Sequence, residues 1–208
     1  MNNDQPPHQP AEITEEGNLI WCNAEGKIHR DDGPAVVRAN GSMLWYQNGL
    51  LHREDGPACE FVGGSKEWYR NGLLHRKSGP AVDCASGYKE WLVEGKFHRE
   101  DGPAVERIDG GRMWYRNGLL HREDGPAVER ASGGKIWYRN GLRHRDGGPA
   151  VNDPDGYKAW CQNGLLHRED GPAVERPNGI VEYWIDGKQV EPPKESSKKN
   201  HLAPGGKR

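Results

Sequence analysis

Along most of this chain, apolar residues come in short runs separated by polar turns, and no stretch repeats them at helical spacing. Residues 125–146 are typical and read GPAVERASGGKIWYRNGLRHRD. Ala127-Val128-Glu129-Arg130 predicts a short strand entered through Pro126, which cannot donate to a ladder and so suits a strand start or an edge. Ser132-Gly133-Gly134 then breaks the chain. The run from Lys135 to Arg139 predicts a second strand, rich in branched and aromatic residues. Asn140-Gly141 follows, the pair best suited to a type I′ hairpin turn, where both central residues need positive φ. A returning strand carries Leu-x-His-Arg to the next Gly-Pro turn.

This pattern recurs seven times. His29, His52, His75, His98, His121, His144 and His167 lie 23 residues apart, each followed by Arg and, a few residues on, by Gly-Pro-Ala. Trp45, Trp68, Trp91, Trp114, Trp137 and Trp160 keep the same step, whereas Trp21 and Trp184 are each displaced by one residue at the ends, as capping units often are. The expected fold is all-β: an elongated tandem-repeat meander or solenoid of 23-residue two-stranded hairpin units spanning residues 18–190. A meander would advance about 9–10 Å per unit, and a coil with one turn per unit only about 4.8 Å. The density of hairpin turns favours the meander. Residues 1–17 are expected to be a disordered lead-in, and residues 191–208, rich in Pro, Ser and Lys, a disordered basic tail.

Composition fits a thin structure. Only 33% of residues are hydrophobic and the mean hydropathy is −1.00, close to a disordered profile, yet eight Trp and seven Tyr can bury large areas if each unit leans on its neighbours. The net charge of −2 argues against a general trap for nucleic acid or an acidic membrane. Lys194, Lys198 and Lys199 lack interleaved aromatics and are read as a solvated tail. No apolar run suits a bilayer span, and the first residues show no basic-then-apolar leader, so a cytoplasmic location is expected. Cys22, Cys59, Cys84 and Cys161 occupy unrelated slots of the repeat and are expected to be free thiols.

The unit Trp68-Tyr-Arg-Asn-Gly72-Leu-Leu-His75 resembles the MORN repeat family, which has Trp, a Gly-containing turn and a His three residues later at the same period. The resemblance covers roughly residues 18–190. The chain departs from that family after the His, where it reads His-Arg-x-Asp-Gly-Pro-Ala in place of His-Gly-x-Gly. The resemblance implies an extended hairpin array used as a scaffold for protein contacts, sometimes for lipid contacts. In one variant group it implies a conflict factor that neutralises a toxin. It assigns no role to any single residue.

The repeated polar set argues against chemistry. A shared zinc needs donors about 2.0–2.1 Å from the ion, which histidines one meander unit apart would reach only by leaning together, so no metal and no cofactor is expected. Near-identical His, Arg and Asp in every copy do not form the unlike, converging set that catalysis requires, so no catalytic residue is expected. A lattice explains them better: Arg pairs with the Asp before Gly-Pro or stacks on Trp, and His donates a ring N–H to a carbonyl. Trp rings are expected to stack between copies as an apolar spine. The second face would carry Tyr46, Tyr69, Arg70, Tyr115, Arg116, Tyr138 and Arg139, aromatic and guanidinium groups suited to a protein partner. The alternative is a phosphate-bearing small ligand, a nucleotide or lipid headgroup, held by Arg53, Arg76, Arg99, Arg122 and Arg145.

Overall fold

The computed structural model describes Pro10 and residues 12–193. Among these residues every regular element is a strand. In the copy that starts at Ala104, four two-residue strands follow one another: Val105–Glu106, Arg112–Met113, Tyr115–Arg116 and Leu119–Leu120. The first two join a long antiparallel sheet of 17 strands, in which each copy's pair continues the ladder of the copy before. Tyr115–Arg116 and Leu119–Leu120 form a separate hairpin, with Tyr115 opposite Leu120 and Arg116 opposite Leu119. The unit is thus a meander, as expected, laid out in two parallel rows.

The division falls at the tryptophan. The run from Lys135 to Arg139 reads as one strand, but Lys135–Ile136 belongs to the long sheet and Tyr138–Arg139 to the hairpin row. Trp137 between them donates its N–H to the Ala150 carbonyl of the next copy and accepts from His144 N–H through its own carbonyl. Each bent backbone group therefore keeps a partner, which is what allows the turn in a buried strand. At the C-terminal end Tyr183 stands in the Trp slot and no further copy follows. There the chain runs straight through Val181–Ile185.

Asn140 and Gly141 have φ of 50° and 81°, the pair of positive values a type I′ turn demands, and the same holds at Asn48, Asn71, Asn117 and Asn163 with their glycines. Successive hairpins are tied by two backbone bonds, for example Gly141 N–H to the Leu120 carbonyl and Arg122 N–H to the Tyr138 carbonyl.

The core lies between the two rows. Ala35, Ala58, Ala81, Ala104, Ala127, Ala150 and Ala173 are wholly inaccessible, and after each of them except Ala35 the next residue is a buried Val or Cys. Val128, Ile136, Val151 and Ala159 from the sheet cluster with Cys161 of the hairpin row, and Leu120, Tyr138 and Leu166 pack against them. This aliphatic column replaces the expected tryptophan spine. The only aromatic ring pair among the described residues is Phe97 with Tyr115, at 5.0 Å.

Within the expected lead-in, Glu12–Ile13 pairs with Leu19–Ile20 and extends the sheet by one strand. The rest of that segment before residue 12, apart from Pro10, and the tail from residue 194 lie outside the described residues. The four cysteines are unpaired thiols, and burial pushes the Cys59 thiol up to about 12.

Candidate functional site

Each His-Arg pair sits where the returning hairpin strand meets the Gly-Pro-Ala turn, and in every copy the arginine keeps the same stack on Trp and the same bond to the turn proline. In all seven copies the arginine guanidinium lies over a tryptophan ring, with Cζ between 3.8 and 4.3 Å from the centroid. One terminal nitrogen donates to the carbonyl of the turn proline, as Arg122 does to Pro126 at 3.3 Å. Nε donates to the Asp two residues on in five copies, at 2.7–2.9 Å: Arg30 to Asp32, Arg53 to Asp55, Arg99 to Asp101, Arg122 to Asp124 and Arg168 to Asp170. In four of these Nη1 also reaches Glu60, Glu106, Glu129 or Glu175 on the long sheet. The expected lattice is present, and it uses both partners proposed for the arginine.

This seat explains the glycine of Gly-Pro-Ala. A Cβ built on Gly56, Gly102 or Gly125 would stand 2.9 Å from the guanidinium carbon of its own copy's arginine, closer than real Cβ atoms approach. The glycine is there so that the guanidinium can lie flat between backbone and indole.

The arginine holds the carboxyls of Asp55, Asp101, Asp124 and Asp170 below the usual carboxylate range, mainly through the side-chain hydrogen bond and then through its charge. A folded-state pKa below the unfolded one contributes stability that is complete above the unfolded value. It is lost as pH falls through that value toward the folded one. Urea midpoints should therefore be flat near neutrality and fall from about pH 4 downward. Changing the four Asp residues to Asn should flatten that acid limb. An unchanged limb would mean that other carboxyls cause it.

Histidine departs from expectation. Its Nδ1 accepts an N–H from the positive-φ turn residue of the next copy, rather than donating to a carbonyl: Asn71 to His52 at 3.1 Å, Asn117 to His98 at 3.2 Å, and likewise in every copy. In three copies Nδ1 is also 2.8 Å from a side-chain oxygen of the same turn residue, Asn71 at His52, Asn140 at His121 and Asp186 at His167, and would donate to it when protonated there. In every copy but the third, where Lys77 stands, Nε2 faces the acid two residues on, from 3.1 Å at Asp31 to 3.9 Å at Glu100 and Glu169. Among the described residues no group of three or more His, Cys, Asp or Glu is arranged to hold a metal ion.

The expected tyrosine–arginine face divides in two. Tyr46, Tyr69, Tyr115 and Tyr138 are half-buried and turned toward the core between the rows, and Tyr138 packs on the Ile136–Val151 cluster. Burial raises the phenols of Tyr46 and Tyr115, and that of Tyr69 to about 12. Arg70, Arg116 and Arg139, one residue on, point the other way and are exposed. Directly opposite them in the hairpins stand Leu73, Leu119 and Leu142, each 50–51% exposed. Leu50 and Leu165 continue the row in their own copies, opposite Gln47 and Gln162. Each leucine lies against the turn glycine of the following copy: a Cβ on Gly141 would be 3.4 Å from Leu119 Cδ2. The outer hairpin face thus carries an arginine–leucine stripe, broken at copy four by Val93 and Lys96.

The phosphate alternative also divides. Arg53, Arg99 and Arg122 are each satisfied by two carboxylates. Arg76 and Arg145 have no carboxylate within ion-pair distance among the described residues, because Ser78 and Gly147 replace the Asp.

Fold and lattice together define a tandem β-hairpin repeat protein, with two strands of each unit in a continuous sheet and two in a row of linked hairpins. No family model matches the chain, and no curated protein matches it either. Among the described residues no helix is long and apolar enough to cross a membrane.

Proposed function

We propose that this chain is a non-enzymatic binding or scaffold protein, a divergent MORN-like array whose outer hairpin face holds a protein partner. The observation that carries this reading is the arginine–leucine stripe. Half-exposed leucines at Leu119, Leu142 and Leu165 recur in register along a rigid support, beside Arg116 and Arg139. Half-exposed leucines recurring in register mark an interaction surface more readily than single scattered ones. Arg116 and Arg139 are tethered by Glu123 at 3.4 Å and Asp146 at 3.1 Å, so they are presented at little further entropic cost. The complementary partner is an extended segment carrying apolar and acidic side chains. The same reading places the array in the cytoplasm.

The test compares proteins that co-purify with the full chain and with a Leu119→Asp, Leu142→Asp double variant. Both side chains are half exposed, so the melting temperature and circular dichroism should stay near those of the parent. Partner affinity should fall roughly tenfold or more. A folded double variant that keeps its partner at parental affinity would exclude this face.

A further inference from the structure

In copy three the chain omits each acid that neutralises the stacked arginine. Glu-Asp after His-Arg becomes Lys77-Ser78, and the sheet glutamate becomes Asp83, which makes no ion pair with Arg76. Relative to copies two, four, five and seven, the two residues after His-Arg change from two negative charges to one positive. Arg76 stays in place over Trp68, at 3.8 Å, and spends one nitrogen on the Pro80 carbonyl. Its Nε, whose counterpart in five other copies holds an aspartate at 2.7–2.9 Å, has no acceptor among the described residues. His75 adds a donor. Its Nδ1 accepts the Glu94 N–H at 3.2 Å, so the neutral ring carries its proton on Nε2, and among the described residues no carboxylate lies within ion-pair distance of it.

These groups line one groove of about 410 Å³ between copies two and three. Two acids, Glu54 and Asp55, stand on its other wall. Asp55 is held by Arg53 at 2.9 Å, and Glu54 lies 3.7 Å from Arg70. The charge left over is that of Arg76 and Lys77.

We propose that this groove binds the phosphate group of a phosphomonoester, with Arg76, Lys77 and the Ser78 hydroxyl as its contacts. A guanidinium fixed by stacking presents a planar donor pair without losing rotamer freedom on binding. Two cations match a phosphate dianion, whereas a carboxylate would neutralise only one. Five other copies show the geometry already occupied, since there the chain's own aspartate fills the position; copy six has Gly147 in that slot but keeps Asp146 where copy three has Lys77, so only copy three adds a second cation beside its arginine. The proposal narrows the phosphate-ligand alternative to a single groove. It meets the leucine–arginine face only at Arg70, which also lines the groove, while Arg76, Lys77 and Ser78 lie outside that face.

The test is a titration of the full chain with inorganic phosphate, following the arginine Nε–H signals by NMR, with acetate at matched ionic strength as control. The Arg76 signal should shift saturably, at lower concentration than any other arginine, and acetate should not reproduce it. Ser78→Asp rebuilds the internal pair and should weaken phosphate binding roughly tenfold or more while the fold stays at least as stable. A combined Glu100→Lys, Asp101→Ser, Glu106→Asp variant should transplant the site and give Arg99 a second saturable shift. Uniform shifts across all arginines, an equal response to acetate, undiminished binding by S78D, or no new site in copy four would each overturn the assignment. S78D should leave partner capture intact, so that loss of the phosphate site and loss of the protein-binding face are told apart.

Discussion

Replacing Arg122 with alanine should destabilise the array by about 2–4 kcal/mol, whereas the same change at Arg76 should cost only about 1–2 kcal/mol. Both arginines stack on an indole and hold a proline carbonyl. Arg122 alone also joins Asp124 at 2.9 Å and Glu129 at 3.2 Å. The cation–π contact contributes about 0.5–2 kcal/mol, according to how far the pair is desolvated. Bonds between charged partners contribute about 1.5–3 kcal/mol where they are sheltered. The full sum is not expected, because the Asp124 carboxylate is largely exposed and rehydrates when released. Arg122→Lys should fall between, since it keeps the charge but loses the planar stack and the fork of donors. Urea unfolding followed by both circular dichroism and tryptophan fluorescence gives the comparison. Agreement of the two probes is needed, because repeat arrays can lose cooperativity. Equal losses at Arg122 and Arg76 would show that the carboxylates contribute nothing to the lattice.

Much of this lattice could be read in the sequence, because residues that recur in phase must meet the same neighbours in every copy. The pairing of Arg with Trp and Asp followed from that, as did the Asn-Gly turns and the meander. The break at Trp137 did not. Lys135 to Arg139 satisfies every local preference for a single strand, and the bend is set by a hydrogen bond to Ala150, thirteen residues away in another copy. The inward turn of the tyrosines had a signal that went unused. Ile136 and Tyr138 are two residues apart and so share a face, which puts the tyrosine with the aliphatic core and Arg139 outside. The exposed leucines gave no such signal. Leu119 and Leu120 are chemically identical neighbours, and alternation cannot say which faces solvent until the hairpin register is known. The histidine role was also beyond reach, since accepting a turn N–H and donating to a carbonyl look alike in sequence. Copy three differs in kind. Its departures, Lys77 and Ser78, are plain in the chain, but their meaning depends on seeing that five other copies fill the same position with an aspartate held by the arginine.

The alanine column is where the tolerance of the array should be lowest. Ala150 is wholly inaccessible and sits in the cluster of Val128, Ile136, Val151 and Cys161, at the point where sheet and hairpin row converge. Its carbonyl accepts the Trp137 N–H that makes the bend, at 2.8 Å. Leucine there adds three carbons at a wholly inaccessible position, so either the rows part or the Ala150 carbonyl leaves the Trp137 backbone N–H unpaired. Overpacking of this sort costs about 1–3 kcal/mol, and a lost buried backbone bond about 1–3 kcal/mol more. Ala150→Leu should therefore destabilise as much as Arg122→Ala or more, although it alters no charge. Its damage should be local: hydrogen exchange should rise at Trp137, His144 and Trp160 in the adjoining units while copies one to three keep their protection, since each unit contacts mainly its neighbours. Ala150→Gly, which leaves the space open, should cost far less and preserve that protection. Uniform loss of protection from Ile20 to Ile185 in the leucine variant would instead mean that the array unfolds as one body, with the two rows coupled along their whole length.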